Sequence, residues 1–482
     1  MEMLKNFIDG QYQAPVNELY IDNIEPATGH VYGKIPNSDE NDVELAVAAA
    51  EKALPTWQAL ASEQRAEILF AIAQGIEAQL DELALCEATD NGKPLYLAKT
   101  VDIPRAASNF KFFAHACSQF SSESHAMANN AINYTLRQPL GIVGCISPWN
   151  LPLYLFTWKI APALAAGNCV IAKPSEITPK TAYLLGKICQ QAGLPDGVLG
   201  IIHGCGDTAG AAICNHPKVK AISFTGGSKT GATIATHLAP KFKKLSLELG
   251  GKNPALVFAD CEFEQTVEQV FRASFANQGQ ICLCASRIYV ERSIYEKFKQ
   301  ALVIKAQQLI PSDPLNLKSQ MGAIVSHEHL NKILNYIEIA KEEGATVLTG
   351  GQQVSVEGRC QQGYFILPTI IEGLDNHARC NQEEIFGPVI TLQAFDNDEQ
   401  ALSLANESQY GLAATVWTSN LNRAHKFAEQ LNTGIVWINC WMLRDLRTPF
   451  GGMKNSGVGR EGGIEAMRFF TETKNVCIKY GE

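Results

Sequence analysis

The chain has no run of lysine or arginine that would form a face for nucleic acid, and its net charge of −9 would repel one. It has no apolar stretch long enough to span a bilayer, so no membrane partner is expected. Its first residues, Met1 to Asn6, lack the charged-then-apolar layout of a secretory leader. Internal repeats, low-complexity segments and flexible linkers are absent too, which argues against solenoids and tethered modules. No His/Cys cluster has metal-ligand spacing, so no metal is expected.

What is present is a balanced globular composition: 482 residues, 46% hydrophobic and 18% charged. That length suits two or three domains rather than one core. The 14 cysteines fall at irregular spacings, many within apolar segments such as Val143-Gly144-Cys145-Ile146. A secreted disulfide framework does not look like this. Free thiols imply a reducing compartment, and the expected location is the cytoplasm.

Residues 41–54 and 62–85 read as amphipathic helices, the second capped by Ser62 and striped by Ile68, Ile72, Ile76 and Leu80. From about residue 140 strand-length apolar runs alternate with helical segments: 141–147, 168–172, 198–203, 220–225, 244–249 and 255–258. This alternation implies an α/β fold with a parallel sheet covered on both faces. A second α/β series follows Glu262 and includes 288–290, 345–348 and 414–418. Two extended segments, 131–136 and 474–479, stand apart from both series.

Cys282 ends the run Phe275-Ala276-Asn277-Gln278-Gly279-Gln280-Ile281-Cys282, and Leu247-Glu248-Leu249-Gly250-Gly251-Lys252 lies upstream. A cysteine can add to a carbonyl and later leave, and a nearby glutamate can activate the water that completes the exchange. Cys284 reads as a packed neighbour and a possible oxidation partner of Cys282. Phe224-Thr225-Gly226-Gly227-Ser228-Lys229-Thr230-Gly231 follows a strand and opens a helix, where backbone N–H groups favour a phosphate. It is no P-loop, because no Lys-Ser/Thr pair follows the second glycine. The glycines Gly204, Gly206 and Gly210 form a weaker string, spaced one residue too far for the dinucleotide fingerprint.

The paired segments around Cys282 and Glu248 resemble the signature of the aldehyde dehydrogenase superfamily. The resemblance implies the aldehyde dehydrogenase fold, with a Rossmann-like NAD-binding domain, an α/β catalytic domain and a small β oligomerisation arm. It places the NAD-binding domain at 1–117 and 139–249, the catalytic domain at 250–449, the arm at 118–138 and 470–482, and a return to the NAD-binding domain at 450–469. It implies catalytic roles for Cys282, Glu248 and Asn150, the last donating to the oxyanion. For NAD it implies contacts from Ile146, Ser147, Trp149, Lys173, Glu176, Gly206, Gly210, Phe224, Thr225, Gly226, Gly227, Glu248, Leu249, Glu384 and Phe386. Gly227 departs from the hydroxyl residue common in the family, which leaves phosphate binding more dependent on backbone. Glu176 favours NAD over NADP, because a carboxylate accepts ribose hydroxyls and repels a 2′-phosphate.

Within the superfamily the likeness is greatest to the 2-aminomuconic and 2-hydroxymuconic semialdehyde dehydrogenases. It is carried by Asp102-Ile103-Pro104-Arg105, Ile281-Cys282-Leu283-Cys284 and the segment from Trp441 to Phe450. It implies that Arg105 and Arg444, with Asn150, hold a small carboxylated aldehyde, since guanidinium matches carboxylate geometry. The amino and hydroxy substrates stay unseparated. A general or betaine-type aldehyde dehydrogenase is the other enzymatic reading, and a structural protein on the same fold the non-enzymatic one. The arm implies a homodimer or homotetramer.

Overall fold

The computed structural model describes residues 2–481. Two large sheets organise it. The first has eight strands in the order Gly457–Val458, Lys244–Glu248, Val219–Thr225, Ile142–Ile146, Cys169–Lys173, Leu199–Ile201, Asn6–Ile8, Gln11–Gln13. Its five central strands run parallel, and antiparallel strands close both edges. Every residue of Ile142–Ile146 and Cys169–Lys173 is buried, as expected of strands covered on both faces.

The second sheet has seven strands, in the order Thr346–Thr349, Thr369–Glu372, Val389–Phe395, Ala285–Glu291, Asn253–Val257, Ala413–Trp417, Ile435–Ile438. Only the edge strand Thr346–Thr349 is antiparallel. All nine strand-length runs expected from the sequence are strands here, with ends shifted by a residue or two in most cases. The chain passes from one sheet to the other between Glu248 and Asn253.

The helix Pro152–Ala165 is buried along its whole length. It packs between the first sheet and the helices Ser62–Ala78 and Ile103–Gln119. The expected helix at 62–85 is two helices, Ser62–Ala78 and Leu80–Asn91, broken where Gln79 leaves helical geometry at φ −107° and ψ 23°. Ser62 is not the cap. Its place is taken by Ala61, whose backbone N–H donates to the Gln64 side chain at 3.0 Å. The buried stripe is correspondingly shifted to Leu69, Ile72, Ala73 and Ile76, with Ile68 and Leu80 only partly covered.

The two outlying segments form a separate three-stranded sheet. Thr471–Lys479 pairs antiparallel with Ala131–Pro139 along its full length, and Ser124–Met127 adds to the far side. All 14 cysteines are free, and no helix among the described residues is long and apolar enough to cross a membrane.

Candidate active site

The segment that delivers Cys282 is locally strained. The helix Phe263–Phe275 ends at Ala276, and Asn277, Gln278 and Gly279 all take positive φ (50°, 57° and 69°). Left-handed backbone disfavours side chains with a Cβ, so two non-glycine residues there need compensation. Their amides supply it: Asn277 Nδ2 donates to Asn150 O (3.1 Å) and Gln278 Nε2 to Ala323 O (3.0 Å). Gly279 cannot be replaced freely, because a Cβ there would sit 2.2 Å from Gly387 O. The carbonyl of Cys282 then accepts from Asn253 Nδ2 at 2.7 Å, which fixes the nucleophile segment to the start of the adjacent strand.

The Cys282 thiol is half-buried. Burial pushes its pKa up, the carboxyls of Glu384 and Glu248 push further, and Arg444 opposes them. Cys284 is buried, with its thiol pushed up to about 12, and faces Ala276 O at 3.8 Å. It packs as a small apolar residue.

Asn150 follows the strand Ile142–Ile146 and precedes the buried helix. Its Nδ2 donates to Gln280 O at 3.0 Å, two residues before Cys282. Its own carbonyl accepts from Asn277 and from Lys93 Nζ at 3.2 Å. Lys93 is fully buried and ion-paired to Asp102 at 2.5 Å and to Glu87 at 3.7 Å. Glu87 is raised to about 7, by burial above all, with Lys93 opposing. Sequence reading did not find this buried cation behind the amide.

Glu248 ends its strand with both carboxylate oxygens buried and without a hydrogen-bond partner among the described residues. Burial raises it well above an ordinary glutamate. The Glu461 charge adds to this, and Lys159, Arg460 and Arg444 pull the other way. Lys159 Nζ contacts Glu461 at 2.6 Å and Ser223 Oγ at 3.0 Å. This pair was also missed, although a lysine inside the apolar run from Pro152 to Ala165 was a signal that a buried partner must exist.

A cleft of about 220 Å³ opens beside Cys282. It gathers Trp149, Asn150, Thr225, Gly226, Gly227, Leu249, Cys282, Glu384 and Phe386 from the expected set. His329 and Lys332 join them unannounced. His329 shares a hydrogen bond of 2.7 Å with Phe386 O and is lowered to about 4 by burial, so it is neutral near pH 7 and its Nε2–H is the donor. Phe386 takes φ +62° and meets the Trp149 ring edge-on at 5.3 Å. Glu384 accepts from Gly251 N at 2.9 Å. Glu248, Arg105 and Arg444 do not line this cleft, and neither do Ile146, Ser147, Lys173, Glu176, Gly206, Gly210 and Phe224.

The last seven have other surroundings. Lys173 Nζ pairs with Glu176 at 3.0 Å, and Gly206–Gly210 is a π-helical turn with Gly210 packed near the Lys173 stem. Phe224 lies under the turn, where a Cβ on Gly226 would come within 2.5 Å of its ring. The helix Ser228–Leu238 begins at Gly227 with no side-chain cap, and a Cβ on Gly227 would meet nothing within 4 Å. The hydroxyls of Ser147 and Thr225 are buried and unpartnered among the described residues. Free N–H groups, orphaned hydroxyls and open space at one helix end suit a dinucleotide phosphate.

Arg105 and Arg444 converge on one residue, Tyr154. Arg444 Nη1 donates to the Tyr154 hydroxyl at 2.9 Å, and the Arg105 guanidinium lies 5.7 Å from the Tyr154 ring centre. Among the described residues neither arginine has a carboxylate within ion-pair distance; Asp445 is taken by Arg447 at 2.6 Å. The Arg444 loop is tied to the nucleophile segment, since Trp441 Nε1 donates to Leu283 O at 2.9 Å.

Fold and site together define an α/β oxidoreductase. The aldehyde dehydrogenase family model matches residues 13–476. A 2-aminomuconic semialdehyde dehydrogenase of Mus musculus is 49% identical, covering 99% of this chain and 98% of that protein. A 2-hydroxymuconic semialdehyde dehydrogenase of Pseudomonas sp. (strain CF600) is 46% identical, over 99% and 100%. The NAD+ complex of an aldehyde dehydrogenase from Bacillus cereus superposes with a TM-score of 0.97 at 36% identity, over 99% and 97%. The chain belongs to the aldehyde dehydrogenase family and is an aldehyde-oxidising enzyme.

Proposed function

We propose that this enzyme oxidises a semialdehyde bearing a remote carboxylate, of the 2-aminomuconic or 2-hydroxymuconic type, to the dicarboxylic acid with NAD as acceptor. The observation that carries the substrate class is the pair of guanidinium groups without carboxylates at Tyr154. Arg444 acts electrostatically on both Cys282 and Glu248, so an anion held there lies close to the chemistry. The two semialdehyde dehydrogenases named above support the same class.

Bound NAD would supply the ring that takes up a hydride, one proton with two electrons. The turn Thr225–Gly227 and the first N–H groups of Ser228–Leu238 hold its pyrophosphate. Lys173 and Glu176 bind the adenine ribose, and Gly206 and Gly210 border it. Glu384 holds the second ribose, and Phe386, Trp149, Ile146, Ser147 and Leu249 shape the nicotinamide end. Cys282 passes its proton to water, and the thiolate sulfur adds to the aldehyde carbon as the C=O π bond opens onto oxygen. The amide of Asn150 and the backbone N–H of Cys282 then donate to the new oxyanion. After oxidation the substrate is a thioester on Cys282. Glu248 draws a proton from water, and the hydroxide formed releases the acid and restores the thiol.

Free thiols throughout the chain support a reducing, cytoplasmic setting. The arm sheet supports assembly into a homodimer or homotetramer. In one chain Met127, Leu136 and Ile478 are 48%, 39% and 46% exposed on it, and a thin sheet with bare apolar faces needs a cover. On this reading 1–117, 139–249 and 450–469 bind the nucleotide and 250–449 carries the nucleophile.

The test compares kcat/KM, with NAD, for 2-aminomuconic semialdehyde, 2-hydroxymuconic semialdehyde, betaine aldehyde and a neutral aldehyde. Preference for the two anionic substrates is the expected result. Equal turnover of all four, or preference for the cation, would overturn the substrate class.

A further inference from the structure

Tyr154 is 2% exposed and sits one helical turn beyond Asn150 on the buried helix. Its backbone is fixed by Asn109, whose Nδ2 donates to Tyr154 O and Thr157 Oγ1, both at 3.0 Å. The ring therefore has little freedom to move. Its two ends meet two different cations: the face lies towards Arg105, and the hydroxyl oxygen accepts from Arg444. The Arg444 guanidinium is further held against Phe450, at 4.1 Å, and Trp158, at 5.4 Å. Aromatic faces steady a guanidinium without using its N–H donors, so most of the five remain for a ligand. The Tyr154 oxygen is already an acceptor, and its O–H finds no acceptor among the described residues. Two like charges and an unspent hydroxyl donor around one buried ring form an arrangement completed by an anion.

We propose that Tyr154 is a specificity-determining residue: it sets the spacing of Arg105 and Arg444 and donates its O–H to the substrate carboxylate as a third partner. This rests on the arginine-clamp reading above and extends it. The two guanidinium groups supply charge, and the phenol supplies position and a directional hydrogen bond. A hydroxyl donor bonded to a charged acceptor discriminates strongly, because an aldehyde lacking the carboxylate leaves the donor unpaired.

The experiment uses the full-length enzyme with saturating NAD, and reads kcat/KM for 2-hydroxymuconic semialdehyde relative to a neutral aliphatic aldehyde. In Tyr154→Phe the ring and its packing stay, while the hydroxyl goes. The expected result is a fall of about 10- to 100-fold in that ratio, expressed mainly in KM for the carboxylated substrate. The same substitution in an Arg444→Ala background should lower the ratio by much less, because the two residues act as a unit. Turnover of the neutral aldehyde reports that each variant is folded. An unchanged ratio in Tyr154→Phe overturns the proposal, as does full additivity with Arg444→Ala. If Arg444→Ala lowers the ratio and Tyr154→Phe does not, only the role of Tyr154 falls. If neither does, the clamp itself falls with it.

Discussion

At the residue scale, the thiol and the two carboxyls nearest it oppose one another. Burial above all raises both Cys282 and Glu248; the Glu384 charge, and that of Glu248 when ionised, add to the first, and the Glu461 charge adds to the second. Cys282→Ala should therefore abolish NADH production while leaving NAD binding intact, measured by fluorescence titration against turnover. Glu248→Ala should give a burst of roughly one NADH per site and then stall, because the thioester forms but water is not activated. Steady turnover in that variant would remove Glu248 as the required base. Glu461→Gln removes a negative neighbour and frees the Lys159 charge, and both changes favour ionised Glu248. Its pKa falls, so the rising limb of the deacylation rate should move to lower pH, read by stopped-flow turnover from pH 5 to 9. A limb that stays put or moves upward contradicts the coupling.

At the element scale, the sequence disclosed what depends on local pattern and hid what depends on long-range pairing. The strand runs 141–147 and 220–225 were legible because burial on both faces demands uninterrupted apolar residues. The turn Thr225–Gly227 was legible because glycine at a helix start has few other uses. The break at Gln79 was not, since no Pro or Gly marks it and both flanking segments keep helical periodicity. Nor was the convergence of Arg105 and Arg444 on Tyr154 derivable from spacing; only the family resemblance paired them. His329 was overlooked because a single histidine near a helix start carries no pattern. Its pH effect follows from its surroundings. A folded pKa of about 4, below the ordinary 6.5, means the unfolded chain binds the proton more tightly between those values. Its contribution to stability is thus present above pH 6.5 and lost as pH falls towards 4. His329→Gln should flatten the fall in thermal midpoint across that window; an unchanged slope would show that other groups set it. The turn before Cys282 permits a sharper test. Gly279→Ala adds left-handed strain and an overlap with Gly387 O, so it should lower stability by roughly 1–3 kcal/mol and reduce activity, read by denaturant melts and turnover.

At the scale of the whole molecule, the arm and the chain crossing between sheets govern behaviour. Ile478 is 46% exposed on the strand Thr471–Lys479, and if the arm joins subunits as proposed, Ile478→Asp should shift the enzyme towards smaller species by light scattering. Unchanged mass would show that the assembly does not use this strand. The chain crosses between the two large sheets twice, between the strands Ile435–Ile438 and Gly457–Val458 and, more tightly, through Leu249 to Lys252. That short bridge is hemmed in: a Cβ on Gly250 would fall 2.1 Å from the Glu384 carboxylate, and one on Gly251 would fall 2.8 Å from the Asn253 side chain. Two covalent crossings, one of them four crowded residues long, tie the first sheet to the second at the nucleophile. A side chain at either glycine would have to displace the Glu384 carboxylate or the Asn253 amide, and so upset at once a wall of the cleft and the strut beneath the nucleophile.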